Sequence, residues 1–241
     1  MIRVAAVADI HLGEGMQGAW ADDVAGLDDA DLLLLAGDLT RHGTAAEARV
    51  VAGEFAGSPV PVVAVLGNHD LHGDDATGVT AELTAAGITV LEGTGAVFDV
   101  SGTRVGVAGT TGFGGGFPPA TASGFGEPEM KAFDARNRSL ADGLCRALTE
   151  LDCDVAVALT HYAPVPDTLA GEPPEIHAFL GSHRLGRAID DCDRQDVPVA
   201  LAVHGHAHAG APDGRTPGGV PVHNVARPLV EGAFRTFVLG R

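Results

Sequence analysis

Five apolar runs set the rhythm of this chain: Ile2 to Ala8, broken only by Arg3, then Leu32 to Ala36, Val62 to Leu66, Val155 to Leu159 and Ala200 to Val203. Unbroken runs of this length, rich in Val, Leu and Ala, predict strands buried on both faces, as in parallel sheets. Between them the period changes. Residues 44–55 read as a helix, with Thr44 or Gly43 at its start and Glu47 completing a capping-box pattern. Residues 76–86 read as a second helix ending at Gly87, and residues 131–151 as a third, with apolar spacing through Phe133, Leu140, Leu144 and Leu148. Residues 13–30 are expected to form a loop leading into a short helix.

Three short β-like runs, 88–91, 96–100 and 104–108, are joined by Gly-containing turns that suit antiparallel pairing. The end of the chain returns to strands at 220–225 and 235–239. Parallel-type units followed by antiparallel pieces predict a mixed α/β protein. The stretch 110–128 is the least regular: six glycines are interleaved with Phe113, Phe117 and Phe125. It lacks a P-loop ending, which leaves a flexible connector or an active-site lid as the two readings.

At 241 residues the chain suits a single domain, residues 1–241, with a large core. The formal charge of −17 opposes a polyanion-binding surface, so no stable nucleic-acid complex is expected. Lys131 is the sole lysine; direct cationic contacts to phosphate fall to arginine or to bound metal. Cys145, Cys153 and Cys192 have no C-x-x-C spacing, and ordinary reduced thiols are expected. No apolar stretch reaches transmembrane length and no signal-peptide pattern opens the chain, which predicts a cytoplasmic protein without membrane attachment.

The chemistry gathers where the apolar runs end. Asp9 and His11 follow the first, Asp38 the second, Asn68, His69 and Asp70 the third, His161 the fourth, and His206 and His208 the fifth. In open α/β sheets, that edge of the strands is where ligands bind. Carboxylate, imidazole and amide oxygen without thiolate suit Mn, Fe, Zn, Co or Ni, with Mn the first to try.

The blocks Asp9-Ile10-His11, Gly37-Asp38-Leu39-Thr40, Gly67-Asn68-His69-Asp70, Thr160-His161 and Gly205-His206-Ala207-His208 together resemble calcineurin-like metallophosphoesterases. The resemblance implies a four-layer α/β/β/α sandwich of two mixed sheets and a site for two divalent metal ions. It makes Asp38 the shared ligand, places Asp9, His11 and His208 on one metal, and places Asn68, His161 and His206 on the other. It further implies hydrolysis of a small phosphoester by a metal-bridging hydroxide, with His69 stabilising the transition state or protonating the leaving group. Asp70 would orient the His69 ring and keep it protonated.

Gly43 and Glu47 after Asp38 resemble cyclic-nucleotide phosphodiesterases, although Leu71-His72 departs from their pattern after Asp70. Residues 179–185 and 216–221 look more like a group of bacterial and archaeal phosphoesterases. A phosphodiesterase is therefore the expected activity. The alternatives are a phosphomonoesterase or nuclease on the same site, or a non-catalytic protein-binding scaffold. Arg184 is a candidate contact to substrate phosphate, and His204 a candidate support for the ligands from behind.

Overall fold

The structure is a computed structural model that describes residues 1–193 and 199–240, without the side chains of residues 192 and 193. The expectation for Cys192 lies outside the described side chains. In chain order the elements are β1 (Ile2–Val7), α1 (Ala21–Ala25), β2 (Leu32–Ala36), α2 (Ala45–Phe55), β3 (Val62–Val65), α3 (Ala76–Ala85) and β4 (Thr89–Val90). Next come β5 (Thr94–Val100), β6 (Thr103–Thr110), β7 (Gly116–Phe117), β8 (Ala120–Thr121), α4 (Pro128–Glu150) and β9 (Val155–Thr160). The remainder is α5 (His177–Leu180), α6 (His183–Asp193), β10 (Val199–His204), β11 (Asp213–Arg215), β12 (Pro221–Asn224) and β13 (Arg235–Leu239).

Two mixed sheets result. The first has the order β13-β1-β2-β3-β4, and the second β11-β12-β10-β9-β6-β5. In the first, β1 to β4 run parallel and β13 is antiparallel to β1. In the second, β12, β10, β9 and β6 are parallel, with β11 and β5 as antiparallel edges.

Alternation along the strands explains the layering. Val4, Ala6, Leu32, Leu34, Val63 and Val65 turn toward the second sheet, where Val105, Val107, Val157, Leu159 and Val203 meet them in one buried cluster. Their neighbours Ala5, Val7, Leu33, Leu35 and Ala64 face the other way, against Val24, Val51, Phe55, Val79 and Leu83 of α1, α2 and α3. On the far side, Leu144 and Leu148 of α4 and Leu185 and Ile189 of α6 cover the second sheet. Both faces of each sheet are buried, which is why the central strands are apolar without alternation. The architecture is the four-layer α/β/β/α sandwich.

Local chemistry sets several boundaries. Thr44 Oγ1 accepts from Glu47 N while the Glu47 carboxylate faces Thr44 N, closing the capping box at the start of α2. Beyond α3, Gly87 takes the left-handed conformation at φ +87° that an L side chain would strain.

One expected pairing is corrected. The 88–91 run does not join the antiparallel group: β4 pairs parallel with β3 in the first sheet, and the antiparallel pair is β5 with β6. The α3 crossover between β3 and β4 permits parallel pairing, which a short turn would not. The glycine-rich stretch also departs from a loose connector, because residues 111–117 are mostly buried. Gly115 N donates to Ala178 O at 2.7 Å and Gly116 N to Gly181 O at 2.9 Å, docking the stretch on the segment before α6. Residues 118–130 are almost all exposed.

Candidate metal centre

The parallel strands β1, β2 and β3 deliver Asp9, Asp38 and Asn68 to one edge, and β9 and β10 deliver His161, His206 and His208. Main-chain bonds continue past the strand ends and hold these loops together. Asp9 N donates to Gly37 O at 3.0 Å, His11 N to Asp38 O at 3.1 Å and Leu12 N to Leu39 O at 2.8 Å. The two sheets are joined at the same edge by Ala8 N to Val225 O at 2.9 Å and Val225 N to His204 O at 2.7 Å.

Backbone strain concentrates here. Among the described residues, six non-glycine residues have positive φ, and four of them are Asp9, His11, Asp38 and His206. Each such residue costs about 1–3 kcal/mol, and such strain gathers at functional sites. The glycines beside these residues serve close approach. A Cβ on Gly37 would lie 2.6 Å from His161 Nδ1, and one on Gly67 would fall on the Asp38 carboxylate.

The potential ligands form three overlapping groups, one of which joins His11, Asp38 and the exposed His69; the other two flank Asp38. Asp9, His11 and His208 offer atoms within 4.8 Å of one another, as do Asp38, His161 and His206. Asp38 faces both: Oδ1 lies 3.3 Å from His161 Nε2, and Oδ2 lies 3.9 Å from His11 Nε2. Asn68 Oδ1 joins the second group at 2.9 Å from His161 Nε2.

The atoms in the second group fit a cation. His161 Nδ1 lies 2.8 Å from Ala36 O, and a carbonyl only accepts, so in the neutral ring Nδ1 carries the proton and Nε2 the lone pair. That lone pair faces an amide oxygen and a carboxylate oxygen. Three electron-rich atoms converging in a buried place are stable with a positive charge between them and repulsive without one. Phe179 O, 3.3 Å from His206 Nε2, likewise accepts from Nε2–H and leaves the lone pair on Nδ1.

Electrostatics agree with neutral imidazoles in the buried half. Burial, with the neighbouring His161, drives the pKa of His206 down to about 4. Burial also lowers His11, although Asp38 and Asp9 oppose it. His208 is raised, first by its 2.9 Å hydrogen bond to Asp9 Oδ1. Burial alone would raise Asp9, but the His208 hydrogen bond, its charge and the His206 N–H help hold it below the ordinary carboxylate value.

His69 is exposed beside this cluster, its ring centroid 4.5 Å from that of His11. His69 N donates to Asp38 Oδ1 at 2.8 Å, and His69 Nδ1 lies 2.8 Å from Arg41 O. The expected contact from Asp70 to this ring is corrected by the structure. Asp70 is fully buried, and its Oδ1 accepts from Thr40 N at 2.7 Å and Thr40 Oγ1 at 2.6 Å, while Oδ2 accepts from Gly67 N at 2.8 Å and Leu39 N at 3.2 Å. Its carboxylate ties the Asp38 loop to the Asn68 loop, and the Arg41 carbonyl holds the imidazole instead. Burial and the nearby Asp38 raise the Asp70 pKa against the pull of these donors.

Arg184 also departs from expectation. Its guanidinium pairs with Asp134 of α4 at 3.1 Å, in a cluster that includes Arg138, so its charge is engaged between α4 and α6. His204 sits behind the ligands, fully buried: Nδ1 lies 2.7 Å from Gly205 O and Nε2 2.8 Å from Thr168 Oγ1. Burial drives its pKa down to about 3. His42, His177, His183 and His223 pair with Glu47, Glu172 O, Gly116 O and Asp213 respectively.

Sequence reasoning missed three supports: Arg41 O, Phe179 O and the Tyr162 ring, whose centroid is 4.4 Å from that of His206. The first two act through main-chain carbonyls and leave no side-chain signature. Tyr162 directly follows His161, and that adjacency was the available signal.

The calcineurin-like phosphoesterase family matches residues 2–210. The chain belongs to that family. Its members are metal-dependent phosphoester hydrolases, and the ligand groups around Asp38 are the candidate seat of the divalent ions. Among solved structures, phosphopantetheinyl hydrolase from Mycobacterium tuberculosis is similar at TM-score 0.68 and 16% identity, over 94% of this chain and 89% of that one. The protein TT1561 of Thermus thermophilus is similar at TM-score 0.52 and 16% identity, over 92% and 88%. At that identity the likeness shows the shared fold alone. No curated protein matches the sequence. No described helix is long and apolar enough to cross a membrane.

Proposed function

We propose that this protein is a dimetal phosphoesterase that hydrolyses phosphodiester bonds of small substrates. The observation that carries the reading is Asp38, whose two oxygens face two separate groups of potential ligands. In this reading Asp9, His11 and His208 hold one ion with Asp38, and Asn68, His161 and His206 hold the other. Bound together, two such cations supply Lewis-acid activation of water and neutralise charge on the phosphoryl oxygens.

The chain's own residues do the rest. Ala36 O fixes the His161 tautomer, and Phe179 O fixes that of His206. Arg41 O holds His69 Nδ1–H, which turns Nε2 of an exposed ring outward, where the imidazolium form would donate a proton to a leaving oxygen. Asp70 keeps the Asp38 and Asn68 loops in register by accepting four hydrogen bonds.

Diester specificity is favoured by the poverty of cations in an acidic chain with one lysine, since a dianionic monoester asks for more positive charge than a monoanionic diester. The likeness to cyclic-nucleotide phosphodiesterases at Gly43 and Glu47 does not bear on substrate. Gly43 leaves room for Asp70 O, 2.5 Å from where a Cβ would stand, and Glu47 caps α2 and binds His42.

The test compares bis(p-nitrophenyl) phosphate with p-nitrophenyl phosphate on Mn-reconstituted protein. Faster cleavage of the diester is expected. A monoester preference of about tenfold, or ~1.4 kcal/mol in barrier, overturns the diesterase assignment, and inactivity on both overturns the enzyme reading.

A further inference from the structure

A cavity of about 480 Å³ lies beside the start of α6, and none of the seven candidate metal ligands lines it. Its walls are apolar and stiff: Phe117, Val165 and the four prolines Pro118, Pro164, Pro166 and Pro217. Proline has a fixed φ and no backbone N–H, so these four positions are stiff and offer no main-chain donor. The volume lies in the range of small-molecule sites, which are mostly apolar with a few placed polar groups.

The placed groups here are cationic. Arg187 on α6 and Arg215 on β11 both line the cavity, with His183 between walls and Asp167 as the one carboxylate. Among the described residues neither arginine forms a salt bridge, and Arg215 gives one N–H to Gly219 O at 2.9 Å. His183 Nδ1 is 3.1 Å from Gly116 O, which leaves Nε2 open. In a chain of net charge −17, two guanidinium groups at one apolar recess are a local reversal of the surface field. Each offers a planar fork suited to a carboxylate, sulfonate or phosphate.

We propose that this cavity is a second binding site, separate from the metal centre, for a small organic anion with a flat apolar body. The body lies against the proline and Phe117 walls, and its acid group meets Arg187 and Arg215. This site does not depend on the assignment of the metal ligands.

Titration calorimetry on the full, metal-loaded chain tests it with three probes of one shape: naphthalene-1-sulfonate, naphthalene-1-methanol and naphthalene-1-methylammonium. The sulfonate is expected to bind once per chain, at least about tenfold more tightly than the alcohol, with the ammonium weakest. Arg187→Gln with Arg215→Gln is expected to bring the sulfonate down to the level of the alcohol. Both side chains are exposed, so this double variant keeps its fold, checked by circular dichroism. Equal affinity for sulfonate and alcohol overturns the proposal. So does sulfonate binding that survives in the double variant, which would place the anion elsewhere, including at the metal centre.

Discussion

His69 Nδ1 lies 2.8 Å from the carbonyl oxygen of Arg41, an acceptor that stays an acceptor at every pH. That contact orients the ring with Nε2 outward, the arrangement a general acid needs. His69→Ala is therefore expected to lower kcat by about 10²-fold or more while metal content is unchanged. The loss should be smaller with p-nitrophenyl leaving groups, which need little protonation, than with alkyl ones. Equal losses would assign His69 to charge stabilisation rather than proton transfer, and no loss would remove it from the chemistry.

Asp38 is predicted to be the most sensitive of the ligands because its two oxygens serve two groups, whereas Asp9 belongs to one. After equilibration with excess Mn and removal of unbound metal, elemental analysis should find two ions per chain in the parent protein, about one in Asp9→Asn and fewer in Asp38→Asn. Equal metal content in the two variants would show that Asp38 is not shared.

Asp70 separates a brace from a catalytic partner. In Asp70→Asn, one carboxylate oxygen becomes an amide NH2 that meets two donors, the N–H groups of Leu39 and Gly67 or the N–H and hydroxyl of Thr40, in a fully buried place. Each buried unsatisfied group costs about 1–3 kcal/mol, so a loss of roughly 3 kcal/mol or more in urea unfolding is expected, together with weaker metal retention. Unchanged stability with a shifted pH–rate profile would return Asp70 to the role of partner to His69.

Much of this was legible in the chain because both its signals are coarse. Strands buried on two faces must be apolar throughout, so Leu32 to Ala36 and Val155 to Leu159 announce themselves. Ligands at parallel strand ends must stand just after such runs, and Asp9, Asp38, Asn68, His161 and His206 do. The partner of a short strand was not legible: residues 89–90 carry no pattern that separates pairing with β3 from pairing with β5. Nor was the hold on His69, since Asp70 is adjacent in sequence while the Arg41 carbonyl is contributed from 28 residues away. The left-handed backbone at Asp9, His11, Asp38 and His206 has no side-chain mark either.

His204 supplies a prediction about pH. Its folded pKa is about 3 against an ordinary 6.5, because burial excludes the charged ring. The unfolded chain therefore takes up a proton near pH 6.5 that the folded chain refuses until about pH 3. The sign follows: the contribution of His204 to stability is complete above the unfolded value and is lost progressively as pH falls from about 6.5 toward 3. Between pH 7 and pH 5 that amounts to roughly 2 kcal/mol. His204→Gln lowers stability at all pH by disturbing the bonds to Gly205 O and Thr168 Oγ1, yet it removes the titration. Urea unfolding of metal-free parent and variant should then show the gap between them narrowing by about 2 kcal/mol from pH 7 to pH 5, because the other titrating histidines are common to both and cancel. A gap that stays constant would mean that His204 titrates alike in the folded and unfolded chain, and a gap that widens toward pH 5 would mean that the folded protein already holds it protonated, with Nε2 a donor to Thr168.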